Sequence, residues 1–218
     1  DAHPDVGMVG PQLLYADGSV QSSRRRFPTL TTALFESTWL QKYAPRRLLE
    51  RYEFLDQPND LTQDVDWLYG AALMARREAI EQVGPMDEGF FMYSEELDWC
   101  RRFHESSAGP SGRRGWRVVY LPTAQIIHYG GKSSEQVIAA RHIHFQTSKV
   151  YYFRKYHGRV VGEALRLFLL GSYVWQLGLE AAKWLMGHKR PLRAQRIAAY
   201  RQVLQSRLHQ NGTAQNDE

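Results

Sequence analysis

Residues 66–103 read DWLYGAALMARREAIEQVGPMDEGFFMYSEELDWCRRF, and residues 115–133 read GWRVVYLPTAQIIHYGGKS. The first stretch opens strand-like from Val65. It passes a small-residue turn at Gly70-Ala71-Ala72 and takes helical spacing over 74–83, where Gly84-Pro85 stops it. A short apolar run, Phe90–Tyr93, then leads to a second helix expected to start at Ser94. Three carboxylates, Glu95, Glu96 and Asp98, fall in its first turn. In the second stretch, 116–121 and 125–128 read as two strands, the latter ending on His128. Strands and helices alternate along these stretches, the pattern of an α/β fold.

Working outward, 6–15 (VGMVGPQLLY) reads as a short strand, a Gly-Pro break and a second strand, closed by a turn at 16–19. Segment 20–27 alternates weakly and ends in Arg24-Arg25-Arg26. Helical spacing recurs over 29–55, with Pro45 dividing it. By composition 56–64 and 104–115 are loops. Residues 135–158 and 160–187 read as helices, and the polar tail from 205 is expected to be disordered. The expected organisation is a domain over 1–158, amphipathic helices over 159–204 and the tail over 205–218.

The bulk numbers narrow the function classes. Of 218 residues, 43% are hydrophobic and 12% aromatic, enough for a real core. The single cysteine, Cys100, excludes an internal disulfide and a multi-cysteine zinc site, and a buried structural thiol is expected. Residues 1–98 hold 9 basic and 17 acidic side chains (−8), whereas 99–218 hold 19 basic and 6 acidic (+13). A basic half fits nucleic acid, an anionic membrane or a phosphorylated substrate, but no nucleic-acid motif accompanies it. No run of 18 or more uncharged apolar residues is present. The chain begins at Asp1 rather than Met, and is expected to be a piece of something longer.

On a helical wheel over 160–187, Glu163, Arg166, Gln176, Glu180 and Lys183 share one arc. Ala164, Leu167, Phe168, Val174, Trp175, Ala182, Leu185 and Met186 share the other. Basic residues flank the helix at both ends. That pattern suits a helix lying in a bilayer interface, and equally one packing onto its own domain.

Each candidate site residue has two readings. Acids after Ser94 fit a capped helix start, favoured by the dipole by roughly 0.3–1 kcal/mol each. They equally fit a general base whose pKa is held up by like-charged neighbours. Asp98 and Arg102, four apart, can pair on one face. His128 is either a hydrogen-bonded structural residue or one ligand to a divalent ion, with Gly130-Gly131 admitting a diphosphate. Gly70 and Ala71 offer close packing, or a floor for a sugar ring that stacks on Trp67.

Taken together, the order DWLYGAALMARREAIEQVGPMDEGFFMYSEELDWCRR … GWRVVYLPTAQIIHYGGKS resembles the C-terminal half of family 2 glycosyltransferases with the GT-A fold. Within them it looks most like the rhamnosyltransferase-like branch, and VGMVGPQLLYADGSVQSSRRRFPTL fits that branch too. The resemblance covers residues 6 to about 158. It implies an inverting transferase that moves a sugar, rhamnose for this branch, from a nucleotide-sugar to a glycan or lipid-linked acceptor. It implies Glu96 as base, standing where the family usually has Asp, with Glu95, Asp98 and Arg102 in supporting positions. It further implies Trp67, Gly70 and Ala71 beside acceptor and donor sugar, and His128 as part of a Mn²⁺ or Mg²⁺ site. The donor-binding half with its Asp-x-Asp motif is missing. Asp64-Val65-Asp66 has those letters, but just ahead of the acceptor-side strand. The expected location is the inner face of the cell membrane, against an anionic surface. A non-catalytic membrane-surface scaffold built on the same fold is the alternative.

Overall fold

The computed structural model describes residues 2–106, 115–129 and 138–209. In chain order the elements are β1 (Val6–Leu14), β2 (Val20–Gln21), β3 (Arg24–Arg25), α1 (Leu30–Phe35), α2 (Arg46–Tyr52), β4 (Gln63–Asp64), β5 (Trp67–Leu68) and β6 (Met74–Ala75). They continue as α3 (Arg77–Val83), α4 (Glu95–Glu105), β7 (Arg117–Ile127), α5 (Ile138–His157), α6 (Arg159–Leu185) and α7 (Arg190–Ser206). This is a mixed α/β chain. It divides into two compact units, one of residues 1–32, 44–88 and 95–132, the other of residues 33–43, 89–94 and 133–218.

The first unit is built on a parallel pair, β1 and β7, paired from Val6↔Arg117 to Leu14↔Ile127. β4 runs antiparallel on the far side of β7, while β2 and β6 pair with different parts of β1. Two breaks expected from the sequence fall at one irregularity between continuous strands. Pro11 lies opposite Leu121, and the register then jumps so that Gln12 faces Gln125. Proline has no N–H for a ladder, so Pro11 and Pro122 fall where pairing is interrupted without the strands ending. The helical spacing from Met74 is overridden in the same way. Met74 and Ala75 pair with Val9 and Met8, Arg76 N–H donates to Gly7 O (2.8 Å), and α3 starts only at Arg77.

α4 buries Leu97, Cys100 and Phe103, a 3-residue spacing that turns one stripe to the sheet. Burying each Leu or Phe side chain contributes roughly 1.5–3 kcal/mol. The approach is close: a Cβ on Gly7 would lie 2.6 Å from Trp116 Cβ, so no larger residue fits there. Cys100 sulfur lies 3.5 Å from that of Met8, and burial pushes its thiol up to about 12, an inert structural cysteine. The arginine run is internal. Arg24 donates to Pro58 O and Gln63 Oε1 (both 2.8 Å) with its guanidinium 4.7 Å from the Tyr120 ring, tying the 53–63 loop to β7.

The second unit holds α5, α6 and α7, so α5 groups with the C-terminal helices rather than with the strands β1 to β7. Leu165, Leu169 and Tyr173 of α6 are buried, as are Val150 and Phe153 of α5 and Val203 of α7. Gly162 permits the tight α5–α6 crossing, since a Cβ there would lie 2.8 Å from Arg154 Cβ. Gly187, at φ 81°, ends the long helix and α7 follows as a separate one. Gln205 and Ser206, expected in the tail, are helical, and 210–218 lie outside the described residues. Among the described residues no helix is long and apolar enough to cross a membrane.

Candidate active site

The site begins at the N-terminus of α4. Ser94 does not have the extended backbone of an N-cap: it and Tyr93 both lie in the left-handed region, at φ 68° and 69°. Non-glycine residues held there cost on the order of 1–3 kcal/mol each, and such spending tends to occur at functional turns. Immediately after them, Glu95 and Glu96 each have a buried carboxylate oxygen, Oε2, without a hydrogen-bond partner. Buried polar atoms are nearly always paired, so two orphans side by side are unusual.

Glu96 is only half-buried as a residue, yet its carboxyl head is hidden. Burial first, and then the charge of Glu95, raise its pKa to about 7, against the opposing pull of the backbone N–H groups of Glu96, Gly70 and Leu97. Oε1 accepts a long bond from Gly70 N–H (3.4 Å). The turn lies flat on the side chain: a Cβ at Gly70 would meet Glu96 Cβ, Cγ and Cδ at 3.5–3.6 Å. Gly70 and Ala71 are exposed, so the carboxyl sits under a floor of small residues open on its other side.

Asp98 and Arg102 serve a different purpose. Asp98 is 0% exposed and accepts from Arg102 Nε (2.8 Å), while Arg102 also donates to Val83 O and Pro85 O at 2.9 and 2.7 Å. The pair pins α4 to the loop after α3. With its head groups engaged, Arg102 is a positioning residue here, and Asp98 cannot reach a substrate.

With this geometry in view, the comparisons with known proteins are specific. The chain is 32% identical over 152 residues to N-acetylglucosaminyl-diphospho-decaprenol L-rhamnosyltransferase of Mycobacterium tuberculosis, covering 64% of this chain and 44% of the relative. It is 28% identical over 140 residues to Rhamnosyltransferase WbbL of Escherichia coli K12, covering 58% of this chain and 50% of the relative. The curated homologues are rhamnosyltransferases. The matches to these rhamnosyltransferases span about half of their length. No family model matches the chain, and no solved structure matches it.

The remaining predicted residues are not all brought together. Trp67 is 8% exposed and its Nε1–H donates to Arg26 O (2.9 Å), which removes it as a stacking platform for a sugar. Strand alternation places Tyr69 on the same face. Tyr69 is half-buried, next to Gly70, with its hydroxyl accepting from Arg25 (2.8 Å) and the Arg25 guanidinium 4.7 Å from its ring. Sequence reasoning passes over Tyr69, although the period of two that marks Trp67 marks it as well.

His128 N–H continues the sheet by donating to Leu14 O, and its Nδ1 pairs with Gln21 Oε1 at 2.9 Å. Such a partner fixes the ring and leaves Nε2 as the ligating nitrogen. Leu14 lies four residues, roughly 13 Å along the strand, beyond Gly10, against which Leu68 and Ala72 of the Gly70 turn pack. Among the described residues no group of three or more His, Cys, Asp or Glu could hold a metal ion. One nitrogen is on offer, not a coordination sphere, so these residues alone do not fit a divalent site. Gly130 and Gly131 lie outside the described residues, as do 107–114 of the 104–115 loop. The Asp-x-Asp letters are structural: Asp64 pairs with Arg117 (2.8 Å), and Asp66 accepts from Phe27 N–H (2.7 Å).

Proposed function

We propose that the chain is the acceptor-side part of an inverting GT-A glycosyltransferase, which transfers rhamnose from a nucleotide-sugar to a glycan or lipid-linked acceptor in surface polysaccharide synthesis. Glu96 removes the proton of the acceptor hydroxyl. The freed oxygen attacks the anomeric carbon, and the bond from that carbon to the diphosphate oxygen breaks in line with inversion. The proton ends on Glu96. A carboxyl near pKa 7 suits the task, being substantially ionised at neutral pH yet basic enough to accept a proton. Glu95 raises that basicity by its charge, Gly70 and Ala71 let the acceptor ring come close, and Asp98 with Arg102 holds the helix start in place. A Mn²⁺ or Mg²⁺ ion would neutralise the leaving diphosphate, taking at most His128 from the residues described. In this reading the donor nucleotide is held by a part of the enzyme other than the acceptor-side residues described.

The observation that carries this reading is the orphaned, near-neutral carboxyl of Glu96 against the Gly70 turn, in a chain whose homologues are rhamnosyltransferases. Joining the chain to the donor-binding half that this reading requires and measuring transfer from dTDP-rhamnose tests it. Glu96→Gln should lower kcat by about 10²–10⁴-fold. An undiminished rate removes Glu96 from the reaction.

A further inference from the structure

We propose that the outward face of α6 docks on an anionic phospholipid bilayer, lying in its interface rather than crossing it. This concerns a different surface from the carboxylate site and stands without the transfer reading.

The helix is apolar on two sides: Leu165, Leu169 and Tyr173 are buried in the bundle, and a second apolar set faces outward. A helix that merely covers its own domain turns its apolar arc inward and its charges to water. Here the acids of α6 are taken up by the bundle. Glu180 is 6% exposed and accepts from Arg193 at 2.7 and 3.0 Å, with Arg196 and Lys183 at 3.5 and 3.7 Å. Glu163 is bonded to Arg154 of α5 and to Arg166. The second apolar arc is therefore left outside without charges among it. From Ala164 to Met186, each exposed residue is apolar or glycine, with Leu167 at 61%, Val174 at 58%, Leu185 at 71% and Met186 at 75%. Between them Gly171 and Gly178 have nothing within 4 Å of an added Cβ. The stripe from Leu167 to Leu185 is roughly 27 Å long, and contiguous exposed apolar surface of this kind marks an interaction site.

Charge decides the occupant. Residues 138–209 contain 13 Lys and Arg against two acids, Glu163 and Glu180, a net charge of +11. A second copy laid on the stripe would bring two such units together against their mutual repulsion, whereas an anionic surface attracts both. The C-terminal end of the stripe fits an interface: Trp184 carries Arg190 over its ring at 5.2 Å, an apolar body beside a cation. The helix is not apolar enough to span, so it lies in the plane with its stripe in the headgroup–acyl boundary.

The test is co-sedimentation of the 218-residue chain with vesicles of equal parts phosphatidylglycerol and phosphatidylcholine, and with pure phosphatidylcholine. Binding to the anionic vesicles is expected, with about tenfold or greater weakening for Leu167→Glu combined with Val174→Glu at unchanged helical circular dichroism. Leu167→Cys carrying an environment-sensitive dye gives a readout that does not need the charged variant to fold. Cys100 is buried and should stay unlabelled, and the dye emission should shift blue only with anionic vesicles. The proposal is overturned if anionic vesicles are not bound, or if the charged variant binds them as well as the parent. It is equally overturned if the stripe proves instead to hold a dimer that the same substitutions dissolve.

Discussion

Replacing Glu96 by Gln should make the protein more stable and less active, by amounts that depend on pH in a defined way. In the folded chain the carboxyl titrates near pH 7 instead of 4.5, because burial and then Glu95 disfavour its charge. The folded state therefore holds this proton more tightly than the unfolded one. The stability associated with the protonated group is fully present below pH 4.5 and is lost as pH rises through 7. A shift of that size corresponds to about 3 kcal/mol at pH 8, an upper figure because water reaches part of the residue. Gln keeps the shape, can still accept from Gly70 N–H, and carries no charge to desolvate. Thermal unfolding of parent and variant at pH 4, 6 and 8 should show no difference at the lowest pH. At the highest, the variant should unfold up to about 6–12 °C later, from the usual 2–4 °C per kcal/mol at this size. A difference that does not change with pH, or a variant less stable than its parent at pH 8, refutes the buried, near-neutral carboxyl on which the catalytic reading rests.

Asp98→Ala leaves Arg102 without its buried partner and should cost about 3–5 kcal/mol in urea unfolding, far more than removing a surface ion pair. Gly70→Ala places a methyl in ordinary contact with Glu96, so stability should change by under about 1 kcal/mol. By covering the carboxyl further, it should move the acidic limb of kcat/KM in the completed enzyme to higher pH. Trp67→Phe loses one bond to Arg26 O and should cost about 1 kcal/mol of stability while leaving the KM for acceptor unchanged; a raised KM would return the indole to the sugar site.

The helices were largely legible in the sequence because their signal is local. A helix after Ser94 and a buried Cys100 are read from the sequence, and the i, i+4 relation of Asp98 and Arg102 predicts their pairing. The strands were less so. Pro11 and Pro122 read as breaks in isolation, and only their approach across the parallel pair shows one interrupted ladder between continuous strands. Met74–Ala75 read as helix because edge pairing with β1 is a long-range event that no local window contains.

For the candidate site the division is similar. Composition and motif order, by themselves, determined a single-cysteine α/β chain with an acidic helix start, a small-residue turn and a lone His after a strand. Those are statements about which residue types stand at which spacing. Tertiary structure decided how the three acids are partnered: Asp98 is paired with Arg102, Glu95 and Glu96 each keep an unpaired buried oxygen, and Glu96 lies against Gly70. It also decided that Trp67 is sealed in and that the charged arc of α6 turns inward. Burial and pairing depend on neighbours distant in the chain, and desolvation, which sets both a carboxyl's pKa and the face a helix presents to water, acts only once those neighbours are in place.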